Sequence, residues 1–223
     1  MTGYRSGRPP RFTREDAVCA ALDLGIADFS MTGVARALGV TTPALYRLFL
    51  SRDDLLEDCL RTVCTQFPLV TSHVSWREML EQYAAVLWEM FTRYPGMDSV
   101  FTTFRRSIRR TIPQHIEFYR SLQCHGFSVG QAHFAGTSIL HLTTAASALL
   151  SRHREELIRD FGKPGARVFL ADGGRILTDV TDLEETTRRQ WWTSVTFFLR
   201  ALEQVAPEWP EYSGPLPVPP TDL

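Results

Sequence analysis

The sequence predicts an all-α protein: a small N-terminal helical bundle followed by a longer C-terminal helical array. Two observations predict it. Apolar residues recur three and four positions apart along most of the 223 residues. The segments so marked open at Ser or Thr and stop at Gly or Pro, the residues that cap and break helices. The breaks divide the chain into residues 11–71 and 72–206. Residues 1–10 and 207–223, rich in Gly and Pro, read as flexible tails.

In the N-terminal part, Thr13 with Asp16 is a short capping box opening a helix through Ala17, Val18, Ala21 and Leu24, and Gly25 marks its stop. Ser30 caps a short second helix that turns Val34, Ala35 and Leu38 inward and ends at Gly39. A third opens at Thr41 or Thr42 with Pro43 in its first turn and carries Leu45, Leu48 and Phe49. Ser51 with Asp54 opens a fourth, lined by Leu55, Leu56, Cys59, Leu60, Val63 and Phe67. Two short helices around a Gly-containing turn, behind a longer one, are the physical content of a helix-turn-helix, although the spacing also suits any small helical bundle.

In the C-terminal part, residues 75–94 read as a helix with a broad apolar face, stopped by Pro95 and Gly96. A shorter element is expected from about Asp98 to Arg110, then a helix with Pro113 in its first turn running to Gly126. Ser128 caps a long helix to about Arg159, with Phe134, Ile139, Leu142 and Leu149 among its expected buried residues. Glycines and Pro164 make 161–181 a loop with room for a small hairpin at 171–174. A last helix opens at Thr181 or Asp182 and runs to about Val205. No internal repeat is present.

Bulk composition narrows the function only by exclusion. The net charge is -1, with 44% apolar and 22% charged residues, so no global positive field draws the chain to nucleic acid. From Met1 to Arg61 eight Arg face eight acids, but Arg5, Arg8, Arg11 and Arg14 precede the first acid, giving a basic arm on a neutral module. Cys19, Cys59, Cys64 and Cys124 form no CxxC pair and read as small core side chains in a reducing cytosol, with no metal or cofactor implied. The N-terminus lacks the apolar run of a signal peptide, and no stretch approaches 18 consecutive apolar residues, so no membrane association is expected.

Residues Phe29 to Leu56, FSMTGVARALGVTTPALYRLFLSRDDLL, resemble the N-terminal signature of the TetR family of transcriptional regulators. The match rests on Phe29, Thr32, Val34, Ala35, the Leu38-Gly39-Val40 turn, Leu45, Tyr46, Phe49, Arg52, Leu55 and Leu56, with Ala20, Ala21 and Leu24 upstream. About 50 residues carry it; the remainder resembles the family only as a helical array of suitable length. The resemblance implies nine to ten helices, an N-terminal helix-turn-helix DNA-binding domain and a C-terminal ligand-binding and dimerisation domain. It also implies a homodimer on palindromic double-stranded DNA, with a small organic effector that weakens the grip.

Thr42, Pro43 and Ala44 stand at the start of the expected recognition helix, where side chains meet base edges, and Arg47 is one turn on. The resemblance implies that Tyr46 gives its hydroxyl to a phosphate and that Arg52 contacts the backbone at a helix N-terminus, with Thr32 and Thr42 as further donors. Leu48 and Leu50 depart from the family's usual His or Tyr and Lys, which shifts the expected backbone grip towards Arg5, Arg8 and Arg11. The cluster Arg105, Arg106, Arg109 and Arg110 faces solvent, helices 1 and 4, or DNA. Trp88, Phe91, Phe104, Phe118, Tyr119, His133, Thr137 and His141 are the expected lining of an effector cavity; simple core packing is the competing reading for the aromatics. Ala132, Gly136, Ala145, Ala146 and Ala148 would let a partner helix approach.

A ligand-responsive cytoplasmic repressor is therefore the leading expectation. An activator or architectural DNA binder without an effector is the second reading, and an enzyme on a helical scaffold a remote third. The sequence carries no HExxH, GxSxG, phosphate loop or paired carboxylates.

Overall fold

A computed structural model describes residues 12–69, 74–104, 107–161, 170–172, 175–177 and 180–205. Among them the helices are α1 (Arg14–Asp23), α2 (Met31–Ala37), α3 (Thr42–Leu45), α4 (Arg52–Gln66), α5 (Trp76–Arg93), α6 (Met97–Thr103), α7 (Ser107–Cys124), α8 (Val129–Phe161) and α9 (Val180–Val205). Two short strands, β1 (Leu170–Asp172) and β2 (Arg175–Leu177), pair antiparallel between α8 and α9, with Ala171 opposite Ile176. This is the small hairpin for which the glycines left room.

The caps fall where the sequence puts them. Thr13 accepts from the Asp16 amide at 3.1 Å while the Asp16 carboxylate takes the Thr13 amide at 2.8 Å, satisfying two amides that the first turn of α1 leaves open. Ser30 and Ser51 cap α2 and α4 through the Gly33 and Asp54 amides, and Ser75 with Glu78 closes a second capping box on α5.

Three expectations are corrected. The third helix is regular only over Thr42–Leu45. Beyond it Arg47 and Leu48 donate to carbonyls three residues back, so the chain tightens and brings Phe49 into the core without extending the α-helix. The element expected at 98–110 ends at Thr103, and α7 begins at Ser107, which places Pro113 inside that helix and not in its first turn. Phe134 and Leu149, expected in the core, are exposed, because α8 has one face more apolar than α5, α7 and α9 cover.

α1 folds against α4, α2 packs on α1 and α3, and α4 continues to α7; α8 lies along α5, α7 and α9, and α9 returns along α5. One apolar core runs from Phe12 to Leu202 through both parts. Of the small residues expected at a partner helix, Ala132 and Gly136 point into it. A Cβ on Gly136 would stand 2.6 Å from the Tyr119 ring, so this glycine seats α7 on α8. Over Val129–Glu156 α8 is long and apolar enough to cross a bilayer by mean hydropathy, but it packs along α5, α7 and α9 as the central helix of the array.

Candidate nucleic-acid interface

The N-terminal module has a locked back and an open front. At the back, Arg14 on α1 reaches across to α4: Nε donates to Asp58 at 2.9 Å, Nη2 to Asp54 at 3.3 Å and Nη1 to the Leu48 carbonyl, while the guanidinium lies 4.1 Å from the Phe49 ring centroid. Arg61 closes on the other oxygen of Asp58 at 2.6 Å. Asp54 also takes the Leu50 amide at 2.9 Å. The corner between α3 and α4 is thus fixed by charge-assisted bonds, which are shorter and stronger than neutral ones. Sequence reasoning grouped Arg14 with the basic arm; its signal as a buttress was the pair of acids at Asp54 and Asp58, one helical turn apart.

Arg52 is committed within the module as well. Its Nε donates to the Phe29 carbonyl at 2.9 Å, its Nη2 to the Ala27 carbonyl at 2.6 Å, and the guanidinium stacks 4.5 Å over the Phe29 ring. The side chain expected at a phosphate is turned inward and holds the loop between α1 and α2. The start of α4 beside it is already capped by Ser51 and carries Asp53 and Asp54, a poor place for an anion.

At the front, Pro43, Tyr46 and Arg47 are exposed, with Thr42 and Ala44 half-buried beside them. Tyr46 is 49% exposed although its neighbour Leu45 is fully buried, which separates the open side of this short helix from its packing side. Neither Tyr46 nor Arg47 has a side-chain hydrogen bond or ion pair among the described residues. Thr32 and Arg36, one turn apart on α2, are exposed on the same strip of that helix. Arg36 was missed in the sequence; its position four residues after Thr32 was the available signal. Leu50, 91% exposed, ends the face where a cation was expected. Arg5, Arg8, Arg11, Arg105 and Arg106 lie outside the described residues, as do the side chains of Arg109 and Arg110.

The residues expected around one effector cavity do not surround a common space. Phe118, Tyr119 and His133 belong to an aromatic cluster with Tyr83 and His115 between α5, α7 and α8. Tyr83 lies 4.7 Å from Phe118 and 6.3 Å from His115, and Tyr119 5.8 Å from His133. Burial pushes the Tyr83 phenol up and the His115 imidazole down, so both are neutral near pH 7. Phe91 packs edge-on against Phe101, and Phe104 is half-buried. The Thr137 hydroxyl is bonded back to the His133 carbonyl at 2.7 Å. His141 instead opens onto a groove of about 660 Å³ between α8 and α9, shared with Phe134 and Phe197, and Trp88 lines a separate cleft between α5 and α9.

A short helix pair around the Gly39 turn, packed beside α1 and α4 and joined to a helical array, is a helix-turn-helix arrangement. Residues 22–59 match the family of bacterial regulatory proteins, tetR family. The likeness to the TetR family thus holds for this module, and solved structures of that family share the fold over most of the chain. Apo ActR from Streptomyces coelicolor aligns with 88% of this chain and 99% of its own at 18% identity and a TM-score of 0.63. TetR from Acinetobacter baumannii AYE aligns over 87% and 98% at 16% identity and 0.61. The ActR complex with actinorhodin aligns over 90% and 99% at 17% identity and 0.66. No curated protein sequence matches the chain.

Proposed function

We propose that this chain is a cytoplasmic, homodimeric repressor that reads a palindromic DNA site and releases it on binding a small organic molecule. The observation that carries the reading is the asymmetry of the N-terminal module: Arg14 and Arg52 are bound from behind, while Thr42, Pro43, Ala44, Tyr46 and Arg47 face outward beside Thr32. The hydroxyls and Arg47 donate to phosphates and base edges, and the Thr42 and Ala44 methyls suit a thymine methyl.

Dimerisation is supported by the face of α8 and α9 on which Phe134, Leu149 and Phe197 stand exposed. Two subunits joined there by a two-fold axis would present their recognition helices to successive major grooves, about 34–36 Å apart. For the effector, the cluster of Tyr83, His115, Tyr119 and His133 supplies apolar walls with a few polar groups, the usual make-up of an organic-ligand site. Among the structures of similar fold, ActR has been solved with actinorhodin and a TetR variant with minocycline, which supports a small-molecule role for this part of the fold.

Coupling between the parts has a physical candidate. Gly96, at the turn between α5 and α6, adopts φ +89° and lies so close to the loop between α1 and α2 that a Cβ there would be 2.7 Å from the Ala27 Cβ. Ala27 is one of the two residues whose carbonyls Arg52 holds. A shift of α6 therefore presses on the loop that aligns α2.

Selection of bound duplexes from a random pool tests the reading. Recovered sites should be inverted repeats, bound by two subunits, and candidate metabolites should release them. Recovery of unrelated sequences would overturn the dimeric reader. Inverted repeats that no metabolite releases, with transcription raised or unchanged, would favour an activator or architectural role.

A further inference from the structure

The α5–α9 contact contains a cleft that the regulator reading does not use. The two helices run antiparallel: Arg77 near the start of α5 bonds Glu203 near the end of α9 at 2.6 Å, and further along Trp88 stacks on Trp191 with centroids 4.5 Å apart and planes at 24°. Trp191 is anchored from behind, its Nε1 donating to the buried Thr143 hydroxyl at 3.0 Å. Trp192 lies 5.5 Å from Trp191 and is 37% exposed. Beyond this aromatic platform opens a cleft of about 610 Å³, given room by the small side chain of Ala85.

The charges around the cleft are not all neutralised. Arg189 pairs with Glu185 one turn earlier on α9. Arg188 on α9 and Glu89 on α5 both line the cleft, and neither has a hydrogen bond or ion pair among the described residues. An indole platform in a cleft whose lining includes an uncommitted guanidinium on α9 and an uncommitted carboxylate on α5 suits a flat molecule carrying an anion and a donor. Guanidinium recognises a carboxylate bidentately, and indole faces stack on aromatic rings.

We propose that this cleft is a second small-molecule site, taking a planar aromatic acid with a hydroxyl or amino substituent. The ring stacks beside Trp192, the carboxylate pairs with Arg188, and the substituent donates to Glu89. The volume lies within the usual range for organic ligands, roughly 300–1,000 Å³. At about 100° per residue, Arg188 lies roughly 140–180° round α9 from Thr193 and Phe197, and Trp192 roughly 100–140°, so a partner on the α8–α9 face leaves the Arg188 side of the cleft open. The cleft is also separate from the His133 cluster between α5, α7 and α8, so this proposal does not depend on the effector reading.

Calorimetric titration of the full-length protein with 3-hydroxy-2-naphthoate, and with 2-naphthol as the analogue lacking the carboxylate, tests it. One molecule should bind per subunit, with quenching of tryptophan fluorescence. Arg188→Gln and Trp192→Ala, both at exposed positions, should each weaken the naphthoate at least tenfold. Arg188→Gln should leave the weaker 2-naphthol unchanged, and His133→Ala should change neither. No saturable binding, binding indifferent to both α9 substitutions, or loss on His133→Ala alone would each overturn the assignment.

Discussion

Two arginines of the reading module, Arg47 and Arg52, look equivalent in sequence and are opposite in structure. Arg47 is exposed and uncommitted, whereas Arg52 donates to the carbonyls of Ala27 and Phe29. Replacing Arg47 by Ala should leave thermal stability within about 0.5 kcal/mol, as for most surface changes. If it meets a phosphate, the slope of log affinity against log salt should fall by about one. Arg52→Ala should instead cost roughly 1–3 kcal/mol, because two carbonyls lose a charged donor, and should leave that salt slope nearly unchanged. Denaturant melts together with binding measured at several salt concentrations separate the two. Equal salt slopes for both variants would return Arg52 to the phosphate backbone.

His115 has its own signature at the same scale. Its imidazole sits between Tyr83 and Tyr119, and burial holds its pKa below the ordinary value of about 6.5. A depressed histidine binds its proton more readily when the chain is unfolded. Its contribution is therefore fully present above about pH 6.5 and is lost as pH falls through the lower folded value. The midpoint of thermal unfolding should drop between pH 7.5 and 5, and His115→Gln should flatten that drop. An identical pH profile in the variant would show that the imidazole takes up its proton as readily in the folded chain as in the unfolded one.

Between elements, the informative contact is the turn between α5 and α6 against the loop between α1 and α2. Gly96→Ala meets two obstacles, a positive φ and the Ala27 Cβ at 2.7 Å, and should destabilise by roughly 1–3 kcal/mol. Adding Ala27→Gly removes the second obstacle only, so the double variant should recover part of the stability. If the contact couples the two parts, Gly96→Ala should also lower operator affinity while Tyr46 and Arg47 stay intact; unchanged affinity in a destabilised but folded variant would make it packing alone. Nothing in the sequence pointed to this pair, because a glycine after Pro95 already explains itself as a helix stop. The caps at Thr13, Ser30 and Ser51 were legible because a hydroxyl and an amide three residues on are local chemistry. The partners of Arg14 and Arg52 lie 23 to 44 residues away, and only the fold decides which arginine turns inward. For the same reason the proposed cavity residues dispersed: apolar spacing placed Trp88, His133 and His141 on helices, but not towards a common space.

At the scale of the molecule, the leftover feature is apolar surface. Phe197 is 76% exposed and Phe134 51%, on adjacent helices across one groove, and Leu149 extends the strip along α8. Aromatic rings left this open to water are costly unless covered, and burying them in a partner recovers about 25 cal/mol for each Å² of apolar area. A strip shared by two long helices also suits a two-fold contact, since the same residues meet from both sides. Phe197→Glu places a charge in that contact from each subunit without touching the core of either. Sedimentation should then show a monomer with unchanged helix content, and an unfolding midpoint that no longer depends on protein concentration. Binding to an inverted repeat should fall to the strength of a single half-site, because the second module is no longer carried along. A variant that stays dimeric, or a monomer that still binds the full repeat as tightly as the parent, would move the assembly surface elsewhere on the helical array.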